Sequence, residues 1–134
     1  MGKASKWVWV WGAAQEAAWE KLKAELVSYP ILRQPDLAKP FYVATDASLV
    51  GISGVLQQKD KQGLPFVVRY TSRKLNPAEQ NYGVSDREFL AVVYSLDKSR
   101  RYLHGTRVTV ITDHQPLLRL VQHAGEANSA RMVR

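Results

Sequence analysis

Cysteine is absent from the sequence, which excludes disulfide scaffolds and zinc sites built on cysteine thiolates. Long apolar runs are missing as well: no stretch approaches the ~18 consecutive apolar residues that a membrane-spanning helix needs. The chain starts with tryptophans at alternating positions, Trp7, Trp9 and Trp11, but this apolar part is short and is soon followed by Glu16 and Glu20, so we expect no signal peptide. These absences predict an intracellular protein, of the cytoplasm or nucleus, with no membrane partner.

Acidic residues are few relative to basic ones. The chain has 12 Asp and Glu against 19 Lys and Arg, which gives a formal net charge of +7 and a pI of about 9.8. A small basic domain favours polyanion partners, chiefly nucleic acid, although a surplus of this size also suits simple solubility. The length of 134 residues fits one domain with a modest core, and the 46% of apolar residues argues against disorder.

Apolar periodicity divides the chain into a helical start and an α/β remainder. Residues 12–28 carry apolar side chains at every fourth position and predict a helix. A proline-rich connector, residues 31–40, follows, and we place the boundary between two parts, 1–40 and 41–134, at its end. Beyond it, the pattern predicts strands over 41–46, 51–58, 64–72 and 107–112, a short polar loop over 73–80, a main helix over 85–103 and a short helix over 115–121.

Two of the predicted strands end in the same pair of residues, Thr45-Asp46 and Thr112-Asp113. Three strands joined by tight turns predict an antiparallel meander, and the main helix then makes a crossover that places the fourth strand parallel to the first. The two carboxylates would therefore leave the sheet at one edge, where Glu88, near the start of the main helix, would join them. Three acids in one place suit a divalent metal ion.

Each of these acids also has a purely structural interpretation. Asp46 could start a turn, and Asp113 could cap the short helix. Glu88 could complete a capping box with Ser85, and spacing alone favours that role over metal binding.

The motifs together resemble the RNase H domain of reverse transcriptases from gypsy-class long-terminal-repeat retrotransposons. The N-terminal helix and the connector resemble the end of the polymerase connection that precedes this domain, so the resemblance covers about residues 7–134. The matching stretches are Thr45–Ser48, Gly51–Leu56, Tyr70–Glu79, Asn81-Tyr82, Glu88–Val93, Arg101–Gly105 and Thr112–Leu117.

This resemblance implies an α/β fold, an RNase H-like mixed sheet of an antiparallel three-strand meander plus a parallel fourth strand, with flanking helices. It implies a metal-dependent endoribonuclease that hydrolyses RNA in RNA–DNA hybrids with two Mg²⁺ ions. Asp46, Glu88 and Asp113 fall on three of the family's catalytic, metal-binding acids, which reverses the preference for Glu88 as a cap. The family adds a final strand, a helix and a fourth acid, and no residue up to Arg134 matches that acid. We therefore expect a truncated domain that holds its second metal less firmly.

Polar and aromatic residues near the third strand are predicted to contact nucleic acid. Arg73, Lys74 and Asn76 form a predicted set of phosphate and sugar contacts, with Tyr82 available to stack. Ser48, the last residue of the matching stretch Thr45–Ser48, is a further predicted contact to nucleic acid. Solvated surface is the simpler interpretation of the two cations.

Two other functions stay open from the sequence. One is a truncated, inactive module that binds nucleic acid or protein, and the other is an interface piece of the polymerase. The tryptophan-rich start favours packing against a neighbour, such as the polymerase part of the same polyprotein, over stacking on bases.

Overall fold

The structure is a computed structural model that describes residues 8–113. The short helix predicted over 115–121 lies outside these residues. Among the helices described, none is both long and apolar enough to cross a membrane. The elements are α1 (Ala13–Val27), β1 (Phe41–Ala47), β2 (Gly51–Lys59), β3 (Pro65–Lys74), α2 (Pro77–Gln80), α3 (Val84–Leu103) and β4 (Val108–Ile111).

The four strands form one mixed sheet in the order β3-β2-β1-β4. β2 pairs antiparallel with both β1 and β3. β4 pairs parallel with β1, so that Phe41 lies beside Val108 and Ala44 lies beside Ile111. The predicted meander with a parallel fourth strand is therefore confirmed.

α3 covers one face of the sheet and runs antiparallel to β1. At the start of β1, buried Phe41 packs in a cluster with Leu103 from the end of α3. At the other end of β1, Ala47 packs in a cluster with Ile52 and with Ala91 from the first half of α3. The beginning of α3 therefore lies at the edge of the sheet where β1 ends.

Small side chains let α3 approach the sheet closely. Ala91, Ser95 and Ser99 recur at every fourth position of α3 and are almost completely buried, so they form one stripe along the helix. Ser95 lies over Gly54 of β2, where an added Cβ would be 2.0 Å from its Oγ and 2.6 Å from its Cβ. The spacing between helix and sheet is thus set by the absence of a side chain at Gly54.

Two predicted boundaries are wrong. β3 continues through Arg73 and Lys74, which the sequence had placed in a loop, because both pair with the first residues of β2. The rest of that predicted loop contains α2, whose start is stabilised by an Asn76 cap and a proline in the first turn.

The connector before β1 is fastened to the sheet by a buried glutamine. Gln58 of β2 is fully buried, and its Oε1 accepts a hydrogen bond of 2.9 Å from the Asp36 amide. Its Nε2 donates to the carbonyl oxygens of Asp36 at 2.7 Å and Lys39 at 3.2 Å. α1 differs from these elements: it begins and ends within one residue of the predicted helix over 12–28, and it buries none of its residues.

Candidate functional site

Asp46 and Asp113 lie at neighbouring strand ends. Asp46 is the second-to-last residue of β1, and Asp113 is the second residue after β4. The parallel register ends with Ala44 beside Ile111, and two further residues on each chain lead to Asp46 and Asp113. Since paired strands are ~4.8 Å apart, this register supports the prediction that the two aspartates share one edge of the sheet.

The threonines that precede these aspartates point into the protein. Thr45 and Thr112 are 8% and 7% exposed, whereas Asp46 and Asp113 are exposed. Because side chains alternate along a strand, Asp46 belongs to the face of β1 opposite to the face that α3 covers. Its carboxylate is therefore open to solvent and to a bound partner.

Glu88 approaches the same edge from α3. It is 5% exposed and precedes Ala91 and Val92 by about one helical turn, so it lies on the buried side of α3. The alternative in which Ser85 and Glu88 form the capping box of this helix is wrong. α3 begins at Val84 with Gly83 as its N-cap, which places Ser85 inside the first turn.

The three acids are predicted to share an edge, but within the described residues they do not form a closed cluster. Within residues 8–113, no group of three His, Cys, Asp or Glu side chains is close enough to hold a metal ion. The alternation of side chains along β1 explains why the acids lie apart. Asp46 is on the face of β1 that points away from α3, whereas Glu88 is on the side of α3 that faces the sheet. The donor chemistry still fits, since Mg²⁺ prefers carboxylate oxygens. Metal binding by Asp46, Glu88 and Asp113 therefore stays a prediction.

Arg73 and Asn76, two of the predicted nucleic-acid contacts, both bind Glu79. The Arg73 guanidinium donates to both Glu79 carboxylate oxygens, at 2.7 and 2.8 Å, and lies 5.1 Å from the centre of the Tyr94 ring. Glu79 also accepts from the Asn76 amide at 2.9 Å, and the Asn76 side chain accepts from the Glu79 amide at 2.8 Å. The hydrogen bonds from Arg73, followed by the one from Asn76, lower the pKa of Glu79 to about 2.

This lowered pKa predicts how stability depends on acid. The folded-state pKa of Glu79 lies below its usual value of 4.5, so its contribution to the free energy of unfolding is complete above about 4.5 and is lost as the pH falls toward about 2. We expect the stability difference between the wild type and Glu79→Gln, measured by urea unfolding, to shrink across that window. A difference that stays constant from pH 6 to pH 2.5 would contradict this assignment.

The remaining three predicted contacts are all exposed, but the hydroxyl of one of them also has a structural role. Ser48 forms the β1–β2 turn, where its hydroxyl accepts from the Gly51 amide at 2.9 Å and donates to the Gly51 carbonyl at 3.1 Å. Lys74 is exposed, and Tyr82 is 45% exposed. Lys74 and Tyr82 are thus the members of the predicted set best placed to reach a ligand.

Glu79 and Arg87 are not among the residues that the sequence predicts to be functional. A signal for Glu79 was present, because Asn76-Pro77-Ala78-Glu79 has a capping residue, a proline in the first turn and a glutamate three residues after the cap. Arg87 gave no signal: its side chain is only 9% exposed, and burial of a cation is rare enough that sequence alone does not predict it.

Comparisons with known proteins agree with the fold. Residues 11–110 match the model of the RNase H-like domain found in reverse transcriptase. The Tf2-3 and Tf2-4 transposon polyproteins of Schizosaccharomyces pombe are each 38% identical over 128 residues, which is 94% of this chain. The chain spans only 10% of the length of these relatives.

Two solved structures of a foamy viral protease–reverse transcriptase have a similar fold. The dRH form in complex with double-stranded DNA gives a TM-score of 0.66 at 17% identity, covering 83% of this chain and 20% of that one. The complex with an RNA/DNA hybrid gives 0.54 at 18% identity, covering 92% of this chain and 19% of that one.

Proposed function

The chain belongs to the family of RNase H-like domains found in reverse transcriptases, and from this membership we propose that it is a metal-dependent endoribonuclease that hydrolyses RNA in RNA–DNA hybrids. Its relatives are transposon polyproteins, so the domain would act beside the polymerase part of a retroelement polyprotein. A related fold is known in complex with an RNA/DNA hybrid. That complex supports the choice of substrate.

One observation carries the proposal: the parallel pairing of β1 with β4. This pairing brings two strand ends of identical sequence, each with an exposed aspartate, to one edge of the sheet. α3 brings Glu88 toward that edge from the covered face. In the proposed site, three carboxylates would come from separate parts of a rigid scaffold, which is how a catalytic metal site is usually built.

Asp46, Glu88 and Asp113 would hold Mg²⁺ through carboxylate oxygens. When bound there, the metal supplies an activated water and stabilises charge on the departing 3′ oxygen. Lys74 would contact a phosphate near this edge, and Tyr82 would stack on a base or sugar of the hybrid. Recognition would depend on the A-like shape and the 2′-hydroxyl groups of the duplex rather than on its sequence.

A cleavage assay with end-labelled RNA tests this function. The 134-residue chain is incubated with the RNA annealed to DNA, with the same RNA annealed to RNA, and with a DNA duplex of equal length. We expect cleavage of the RNA–DNA hybrid alone, dependent on Mg²⁺ and stopped by EDTA. Equal cleavage of the RNA duplex, or cleavage in EDTA, would contradict the proposal.

Lys74→Ala should reduce the salt dependence of hybrid binding. Each phosphate contact that is lost should flatten the slope of log affinity against log salt by roughly one unit. Lys61→Ala is the matched control, because Lys61 is also exposed but lies in the turn between β2 and β3. Binding isotherms at four salt concentrations measure both slopes, and an unchanged slope in Lys74→Ala would place the basic contact surface elsewhere.

A second function is favoured by the distances between the acids, which are too long for a three-carboxylate metal site within the described chain. Since no three-acid group within the described chain is close enough to hold a metal, the domain could bind hybrid without cleaving it. An inactive binding module would show the same hybrid affinity in Mg²⁺ and in EDTA and would release no labelled product. The nuclease would release product in Mg²⁺, so the same assay separates the two functions.

A further inference from the structure

The segment between β3 and α3 is fixed at both of its ends. At the β3 end, Arg73 and Glu79 form the two-bond ion pair described above, with side chains 30% and 13% exposed. Between them, Leu75 is buried against Ile52 and Ala91, so the chain enters α2 from an anchored residue. The ion pair therefore closes a loop whose base belongs to the core.

At the α3 end, a buried arginine holds the same segment from the other side. The Arg87 side chain donates to the Tyr82 carbonyl oxygen at 2.8 Å and to the Gln80 carbonyl oxygen at 3.3 Å. The Arg87 amide also donates to the Gly83 carbonyl at 3.1 Å. Hydrogen bonds of a charged donor are among the stronger ones in proteins, and these converge on the residues around Tyr82.

The exposed aromatic side chain of this segment is that of Tyr82, and the buried acid that follows it is Glu88. Tyr82 lies between the two anchors, with its backbone carbonyl held by Arg87. Glu88 is the residue after Arg87, so a rotation or retreat of the first turn of α3 would move its carboxylate. Tyr82 and Glu88, two of the residues that the proposed function uses, therefore depend on the same set of contacts.

We infer that Arg73, Glu79 and Arg87 are positioning residues that hold Tyr82 and the start of α3 in a single arrangement for the hybrid. This inference rests on the proposed function, since it assigns the three residues a part in hybrid binding. They act through Tyr82 and Glu88 without contacting the substrate themselves. The preformed arrangement saves the entropy that would otherwise be lost when the segment orders on binding.

Electrostatics and positioning predict opposite results for one substitution. Glu79→Gln removes a negative charge, and loss of a negative charge alone strengthens binding to a polyanion. If Glu79 positions Tyr82 through Arg73, however, the same substitution loosens the segment and weakens binding. The introduced glutamine side chain can still accept a hydrogen bond from the Asn76 amide, so the fold is kept while the charged pair is lost.

The test measures hybrid affinity of Glu79→Gln against a matched control. Glu20→Gln is that control, because it breaks another glutamate ion pair, with Lys23 at 2.6 Å on α1, and makes the same charge change. We expect Glu79→Gln to weaken hybrid binding about tenfold, equivalent to roughly 1.4 kcal/mol, and Glu20→Gln to leave it unchanged or slightly stronger. Stronger binding by both variants would overturn the inference.

A spectroscopic measurement decides the inference even if the chain does not bind hybrid. With 3-fluorotyrosine incorporated, the Tyr82 signal is identified by its loss in Tyr82→Phe. We expect one sharp ¹⁹F resonance for Tyr82 in the wild type and in Glu20→Gln, and a broadened or split one in Glu79→Gln. An unchanged resonance in Glu79→Gln would overturn the inference, whereas a wild type with the sharp resonance but no hybrid binding would contradict the proposed function instead.

Discussion

Asp46→Asn is expected to lower Mg²⁺-dependent cleavage of the hybrid by at least about 10³-fold. The amide keeps the size of the side chain but removes the charge that binds the metal, and a loss of about 4 kcal/mol of transition-state stabilisation corresponds to that factor. Asp46 is exposed at its strand end, so the variant should keep the stability of the wild type. Cleavage rates at saturating hybrid and a urea unfolding curve measure the two quantities.

The control for this prediction is Asp86→Asn. Asp86 lies in the first turn of α3, two residues before Glu88, and its replacement makes the same charge change close to the proposed site. We expect its cleavage rate to stay within about threefold of the wild type, since a surface charge away from the reacting atoms has small effects. Equal losses in both variants would show that net charge, and not a metal ligand at Asp46, controls the rate.

Much of the fold could be predicted because its signals are local and repeated. An apolar run with β-branched residues marked β1, spacings of four marked α1, and an apolar helical stripe marked α3. The parallel pairing of β4 with β1 followed from the long crossover helix and from the repeated Thr-Asp ending. Helix and strand periods act over a few neighbouring residues, which is why these elements are readable without structure.

The polar side-chain contacts could not be predicted, because they join residues that the sequence pattern indicates to be solvent-exposed. Gln58 reads as one of two hydrophilic residues at the end of a strand, yet it is fully buried and holds the connector. The sequence predicts a phosphate contact for Arg73 but gives no sign of its ion pair with Glu79. In each case the partner lies in another element, so the pairing depends on the tertiary arrangement.

The sheet topology on which the candidate site depends was predicted, but the geometry of the site was not. Strand order brings Asp46 and Asp113 to one edge, and the direction of α3 brings Glu88 there. The side of the sheet on which each carboxylate lies depends on the pleat, and a shift of one residue moves a side chain to the opposite face. The sequence pattern did not fix which face of the sheet each carboxylate occupies. It therefore predicted that the three carboxylates would lie closer together than they do in the described chain.

Gly54→Ala is expected to destabilise the protein by about 3 kcal/mol or more, because overpacking a tight core forces side chains or backbone to move. The new Cβ would lie 2.0 Å from the Ser95 Oγ, 2.6 Å from the Ser95 Cβ and 3.0 Å from the Thr71 Oγ1. Rotation of the serine hydroxyl relieves the first contact but not the second, so α3 must move away from the sheet. Urea unfolding of the single variant measures the cost.

A second substitution tests whether the loss of stability comes from this clash with Ser95 or from replacing any glycine in the strand. Ser95→Gly removes both clashing atoms, so the double variant Gly54→Ala/Ser95→Gly should return to within about 1 kcal/mol of the wild type, the remainder being the cost of glycine in a helix. Failure of that rescue would mean that Gly54 is required by the strand itself and not by α3.

Because Glu88 lies about two turns before Ser95 on the same helix, displacement of α3 would also carry the Glu88 carboxylate away from the edge that Asp46 and Asp113 are predicted to share. The single variant should therefore lose hybrid cleavage under conditions where it is still folded, and the double variant should regain it.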